Sequence, residues 1–173
     1  MKNLPIGTQS FETLREEGLL YVDKTQDIHR LITGHRIVFL SRPRRFGKSL
    51  TVSTMDAIFS GRRDLFDGLW IYDRWDWTRT FPAIRIDWTL ISHSTPEMME
   101  RDMIAVLKKK AEDAGLTLVR ESASGCFSEL IEKLHRETGE KAVILIDEYD
   151  KPVTKCCCWA SLSQGRKSGT GWR

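Results

Sequence analysis

Two short stretches hold residue types that could do chemistry together. "SRPRRFGKSL", Ser41 to Leu50, brings the cations Arg42, Arg44, Arg45 and Lys48 and contains Gly-Lys-Ser. "VILIDE", Val143 to Glu148, is an apolar run followed by two acids. A glycine lets backbone approach an anion with no side chain in the way, a lysine offers a point charge to outer phosphates, and the next hydroxyl can reach Mg²⁺. A phosphate-cradling loop usually has a further glycine upstream, and here Arg42 stands in that place. Pro43 fixes its own φ and biases Arg42 toward an extended conformation, so the loop can leave its strand by a path that needs no glycine. The three arginines would add positive charge around the phosphates. Taken alone, the stretch also reads as a basic loop capping a helix.

Such a loop works only if a strand feeds it and a helix leaves it, so that backbone N–H groups and the positive helix end converge on one anion. "RIVFL" (Arg36 to Leu40), apolar and followed by Pro43, predicts a buried strand. "KSLTVSTMDAIF" (Lys48 to Phe59) predicts a helix that turns Leu50, Met55, Ile58 and Phe59 toward a core, with Gly61 ending it. Upstream, Ile28, Leu31 and Ile32 share one face of a short helix after "YVDKT". Downstream, "FPAIRIDW" (Phe81 to Trp88) alternates Ile84 and Ile86 against Arg85 and Asp87, a second strand. "PEMMERDMIAVLKKKAEDAG" places Met99, Met103, Val106, Leu107 and Ala114 at helical spacing before Gly115, and "CFSELIEKLHRETG" does the same with Phe127, Leu130, Ile131 and Leu134 before Gly139. "AVILIDEYD" (Ala142 to Asp150) is the most apolar strand and ends in acid. The alternation predicts an α/β fold with a parallel sheet. An acidic pair at a strand end is by itself also a solvated terminus. Placed after the loop and helix, Asp147 could reach a Mg²⁺ shell and Glu148 could polarise an attacking water.

The blocks "FETLREEGLLYVDKT", "FLSRPRRFGKSLTVSTMDAIF", "RRDLFDGLWIYD" and "VILIDEYDKPV", in that order, resemble the bacterial AAA-ATPase-like family from about Phe11 to Val153. The resemblance makes Arg42 in place of glycine a habit of the family's arginine-rich, proline-containing loop. It implies a P-loop NTPase-type three-layer parallel sheet with flanking helices, incomplete at the C-terminus. It implies ATP and Mg²⁺ as cofactors. Lys48 and Ser49 would be the Walker A residues, with Arg44, Arg45, Phe46, Gly47 and Leu50 completing the nucleotide contacts. Ser49 and Asp147 would hold the metal and Glu148 would be catalytic. "YVDKT" resembles a segment that borders the adenine in related ATPases, which would bring in Tyr21 and Asp23; locally these also read as a strand end and a helix N-cap.

The resemblance also bears on the chain's end. In the usual sheet order of such ATPases a later strand inserts between the loop-feeding strand and the acidic one, so "RIVFL" and "AVILI" would face a gap. Residues 1–153 then form the N-terminal part of the ATPase domain, and residues 154–173, "TKCCCWASLSQGRKSGTGWR", read as a truncated or frame-shifted, disordered tail. The expectation is a marginally folded or aggregation-prone isolated chain without appreciable ATPase activity. Many relatives carry a PD-(D/E)XK nuclease-like domain downstream; its motif needs an acid two positions before a lysine, and no lysine here has one.

Bulk properties exclude several other classes. With 173 residues, 40% hydrophobic and 29% charged, the chain has the composition of a soluble globular domain. No signal-like or membrane-length apolar run occurs, so a cytoplasmic protein is expected. Cys156, Cys157 and Cys158 are adjacent, Cys126 stands alone, and His29, His35, His93 and His135 lack metal-ligand spacing, which argues against a metal site built from protein ligands alone. A net charge of +3 is small for a nucleic-acid-coating surface. The alternative function is nonetheless a nucleic-acid-binding module using "RPRR" and the "KKK" of Lys108 to Lys110, with steep salt dependence. Against it, the lysines fall on the solvated face of an amphipathic helix, and Trp70, Trp75, Trp77 and Trp88 lack the spacing of a stacking platform.

Overall fold

The computed structural model describes residues 3–149, apart from residues 44 and 93. The tail from residue 154, its three adjacent cysteines, and Arg44 of the loop lie outside the described residues. Five α-helices and two strands run in the order α1 (Phe11–Glu16), α2 (Thr25–Gly34), α3 (Lys48–Phe59), β1 (Ala83–Asp87), α4 (Pro96–Asp113), α5 (Ala123–Thr138) and β2 (Val143–Asp147) among these residues.

Helix starts follow local chemistry. Ser10, Thr95 and Ser122 accept hydrogen bonds from Thr13 N, Met98 N and Gly125 N at 3.3, 3.2 and 3.1 Å. Each occupies an N–H that has no partner within its helix, worth about 1 kcal/mol apiece. Pro96 opens α4, where its missing N–H costs nothing. Gly139 closes α5 at φ 70°, the left-handed conformation in which a side chain would be strained.

β1 and β2 pair in parallel, from Ala83 beside Val143 to Asp87 beside Asp147. Side chains alternate across a strand, so each sheet face meets a different helical layer. Val143 and Leu145, with Ala83, turn toward a core shared with Phe11 of α1, Ile28 of α2 and Val52, Met55 and Ile58 of α3. Ile84 and Ile86 turn the other way, onto Leu107 and Ala111 of α4 and Cys126, Leu130 and Leu134 of α5. The result is a mixed helix and strand fold with a small parallel sheet between helices, compatible with an AAA-like fold.

Two expectations need correction. Arg36 to Leu40 is not a strand; Ile37, Val38 and Phe39 are 91, 41 and 70% exposed. Apolar content alone does not make a strand, because the backbone N–H and C=O groups need a partner ladder, and no described strand lies alongside. Among the described residues the sheet is two strands wide, with helices packed on both of its faces. Ala114 is exposed and Ala111 takes the buried position, since α4 ends at Asp113 and Ala114 already belongs to its cap.

The tryptophans pack rather than present. Trp75 stands edge-on to Phe59, Trp77 lies against Phe66 with ring centroids 5.1 Å apart, and Trp77 Nε1 donates to Tyr72 O at 2.8 Å. Trp70, Trp75 and Trp77 pack against the core that α3 shares with the sheet, and Trp88 packs against the core on the other face.

Candidate functional site

The loop reaches α3 through two left-handed residues. Arg45 has φ 68° and Gly47 φ 72°, with Phe46 between them and a turn closed by Phe46 N donating to Pro43 O at 3.3 Å. Only glycine adopts this conformation without strain, which explains Gly47 locally. Gly47 is the N-cap of α3 and no side chain caps that helix, so its first turn offers backbone N–H groups and the positive end of the helix dipole. The Arg42 guanidinium, where a glycine was expected, reaches Phe46 O at 3.4 Å and Thr51 Oγ1 at 3.5 Å. It holds the back of the loop by long hydrogen bonds instead of extending into solvent.

The apolar strand β2 brings its acids to the same place. Asp147 is 2% exposed, and its Oδ1 accepts from Glu148 N at 2.9 Å. Lys48 Nζ lies 4.0 Å from Asp147 Oδ1 and 4.0 Å from Glu148 Oε1. The ammonium also sits 5.2 Å from the centroid of the Tyr149 ring, which in turn lies 4.8 Å from the Phe39 ring. Glu148 takes φ 55°, so the chain turns sharply as it leaves the strand. Residues a hundred positions apart in sequence thus meet at the C-terminal end of β2.

Of the residues singled out from sequence, Lys48, Asp147 and Glu148 are brought together. Gly47 and Ser49 flank Lys48 at the start of α3, Ser49 half-buried. Arg45 and Phe46 are exposed on the loop, Phe46 by 65%. Leu50 differs: its side chain packs against the core, leaving only its backbone to face an anion. Tyr21 and Asp23 serve the fold. Asp23 Oδ1 accepts from Thr25 N and Thr25 Oγ1 at 2.8 and 2.7 Å, and its Oδ2 from Trp70 N at 2.7 Å. Against the burial that would raise its pKa, these bonds hold Asp23 below the usual carboxylate range. Tyr21 stacks edge-on against Phe11, and burial pushes its hydroxyl up. Lys108 and Lys109 are exposed on α4, while Lys110 borders a cavity of about 230 Å³ with Pro82 and Ala83. That cavity lies at the N-terminal end of β1, whereas Lys48 sits at the C-terminal end of β2.

Sequence reasoning passed over Arg42 as a loop tie and Tyr149 as a partner of Lys48. The first carried no signal beyond its charge. The second could have been suspected from "DEY", since the residue after a strand-end acidic pair turns back over the same site.

The donor set suits the ligands expected from sequence. An uncapped helix start beside a lysine suits an anion, and a buried carboxylate and a hydroxyl are hard oxygen donors of the kind Mg²⁺ takes. The Lys48 ammonium already places a positive charge between the two acids. The small parallel sheet, with its acidic strand end beside the start of α3, makes this a mixed helix and strand protein compatible with an AAA-like fold. The chain matches the AAA-ATPase-like family, described as predicted AAA-ATPase, over residues 5–167 and belongs to that family. An uncharacterized protein in the vnfD 5′ region of Azotobacter chroococcum mcd 1 is 40% identical over 153 residues, 88% of this chain and 30% of that protein. The chain therefore spans under a third of this relative's length. No solved structure matches. No helix among the described residues is long and apolar enough to cross a membrane.

Proposed function

We propose that this chain binds ATP with Mg²⁺ between the loop at residues 41–47, the start of α3 and the end of β2, as part of a P-loop NTPase-type domain. The observation that carries this is the meeting of Lys48 with Asp147 and Glu148 at 4.0 Å each. Backbone N–H groups at the start of α3 bind the phosphates, Lys48 turns from the acids to the β and γ phosphates, and Ser49 and Asp147 hold the ion. Arg44 and Arg45 add charge along the loop. Mg²⁺, when bound, neutralises charge that develops on the phosphoryl oxygens. In a chain of the relative's length, Glu148 orients a water and takes up its proton as the water attacks.

Titration calorimetry with ATP and Mg²⁺ tests the reading. Lys48→Ala should lose essentially all binding, because it removes the point charge offered to the β and γ phosphates. Equal affinity in wild type and variant would remove Lys48 from the site. In a full-length relative, Glu148→Gln should keep binding and slow hydrolysis by about 10² to 10⁴, the range for losing a positioned general base.

A further inference from the structure

The parallel register sets a third acid beside the site. Asp87 ends β1 as Asp147 ends β2, and the two are paired positions. Neighbouring strands lie about 4.8 Å apart and paired residues of parallel strands point to the same face. Ala83 on that face packs into the α3 core, as do Val143 and Leu145 of β2, so Asp87 and Asp147 share the α3 side. Asp87 Oδ1 accepts from Thr89 N at 2.8 Å, capping the short turn Trp88–Leu90. Its second oxygen has no hydrogen-bond partner among the described residues.

Mg²⁺ demands six oxygen ligands in near-octahedral geometry and gives up its waters reluctantly. Among the described residues no three His, Cys, Asp or Glu side chains are gathered to hold a metal ion. An ion held here by Ser49, Asp147 and phosphate oxygens would keep waters, and those waters need acceptors for their hydrogens. Asp147 already spends Oδ1 on the Glu148 N–H. Building on the ATP reading above, we infer that Asp87 is a positioning residue whose free carboxylate oxygen accepts a hydrogen bond from a water of the Mg²⁺ shell. It acts through that water and makes no direct bond to the ion.

The test uses the full 173-residue chain, a fluorescent ATP analogue and a Mg²⁺ series, comparing wild type with Asp87→Asn and Asp147→Asn. Asparagine keeps an oxygen to cap Thr89 but presents an amide donor in place of the second acceptor. Asp87→Asn should need about tenfold more Mg²⁺ for half-maximal binding, as loss of an outer-shell partner usually does. Analogue binding in EDTA and the unfolding temperature should not change, because the cap is kept; a merely structural role would leave the Mg²⁺ midpoint unchanged as well. Should the asparagine variant fail to fold, Asp87→Ser caps the turn through its hydroxyl and is read the same way. An unchanged Mg²⁺ midpoint in a variant that binds the analogue normally would reduce Asp87 to a turn cap. A wild type that binds no analogue at any Mg²⁺ concentration would instead remove the ATP reading, and this inference with it.

Discussion

Ile84 and Ile144 are paired across the sheet, as are Ile86 and Ile146, and all four point to the same face. On β1 they are 1 and 4% exposed; on β2 they are 40 and 46% exposed. The residue type and the face are the same, so the difference lies in what covers them. α4 and α5 lie over β1, whereas nothing described covers that side of β2. The opposite face of β2 is closed by α3, and this is the face that buries Asp147 and brings it to Lys48. The candidate site therefore lies on the packed side of β2, where Asp147 is buried beside Lys48. Fully burying an isoleucine is worth about 1.5–3 kcal/mol, so the two isoleucine pairs contribute unequally to stability.

That contrast can be broken first at its closed end. Ile84→Ala, which opens a cavity under α4 and α5, should cost about 2–5 kcal/mol in urea unfolding. If Ile144→Ala cost as much, β2 would be covered in solution and the comparison would fail.

A second probe uses the polar clamp within the same closed layer. Glu129 of α5 is buried, accepts from Val119 N and Arg120 N at 3.0 Å each, and pairs with Lys133 Nζ at 2.8 Å. The Lys133 hydrogen bond first, then the backbone N–H groups, hold its carboxyl down at about 2. A carboxylate lowered in the folded state stabilises above its unfolded pKa, and that contribution is lost as pH falls toward the folded value. The unfolding temperature of wild type should thus drop between about pH 4.5 and pH 2, and Glu129→Gln should show a shallower drop across that window. Parallel curves for the two proteins would show that the clamp does not hold the α4 and α5 layer.

The smallest effect belongs to the open face. Ile144→Thr should change stability by no more than about 0.5 kcal/mol, the usual range for a surface position. It should also reduce concentration-dependent light scattering, because it removes exposed apolar area. A loss well above that range would again mean that the face is covered.

Much of the local structure was legible. The helix expected over Lys48 to Phe59 has those bounds, because Gly47 supplies a left-handed start and the apolar spacing runs to Phe59. Both "AIRID" and "VILID" are strands, and Gly139 ends its helix as the spacing before it implied. The candidate loop, helix start and acids were legible too, as residue types at spacings. The fate of "RIVFL" was not, since its apolarity says only that it would gain by being covered.

Composition and periodicity determined which segments bend, coil or extend, because those preferences act within a few residues through φ, hydrogen bonding and side-chain spacing. Only the tertiary structure decided that Lys48 reaches Asp147 and Glu148, that Arg42 ties the loop, that Asp87 stands beside Asp147, and that one isoleucine pair is covered while its neighbour is not. Each of these depends on which surface of one element meets an element far away in the chain, and a side chain's own chemistry does not specify its distant neighbour.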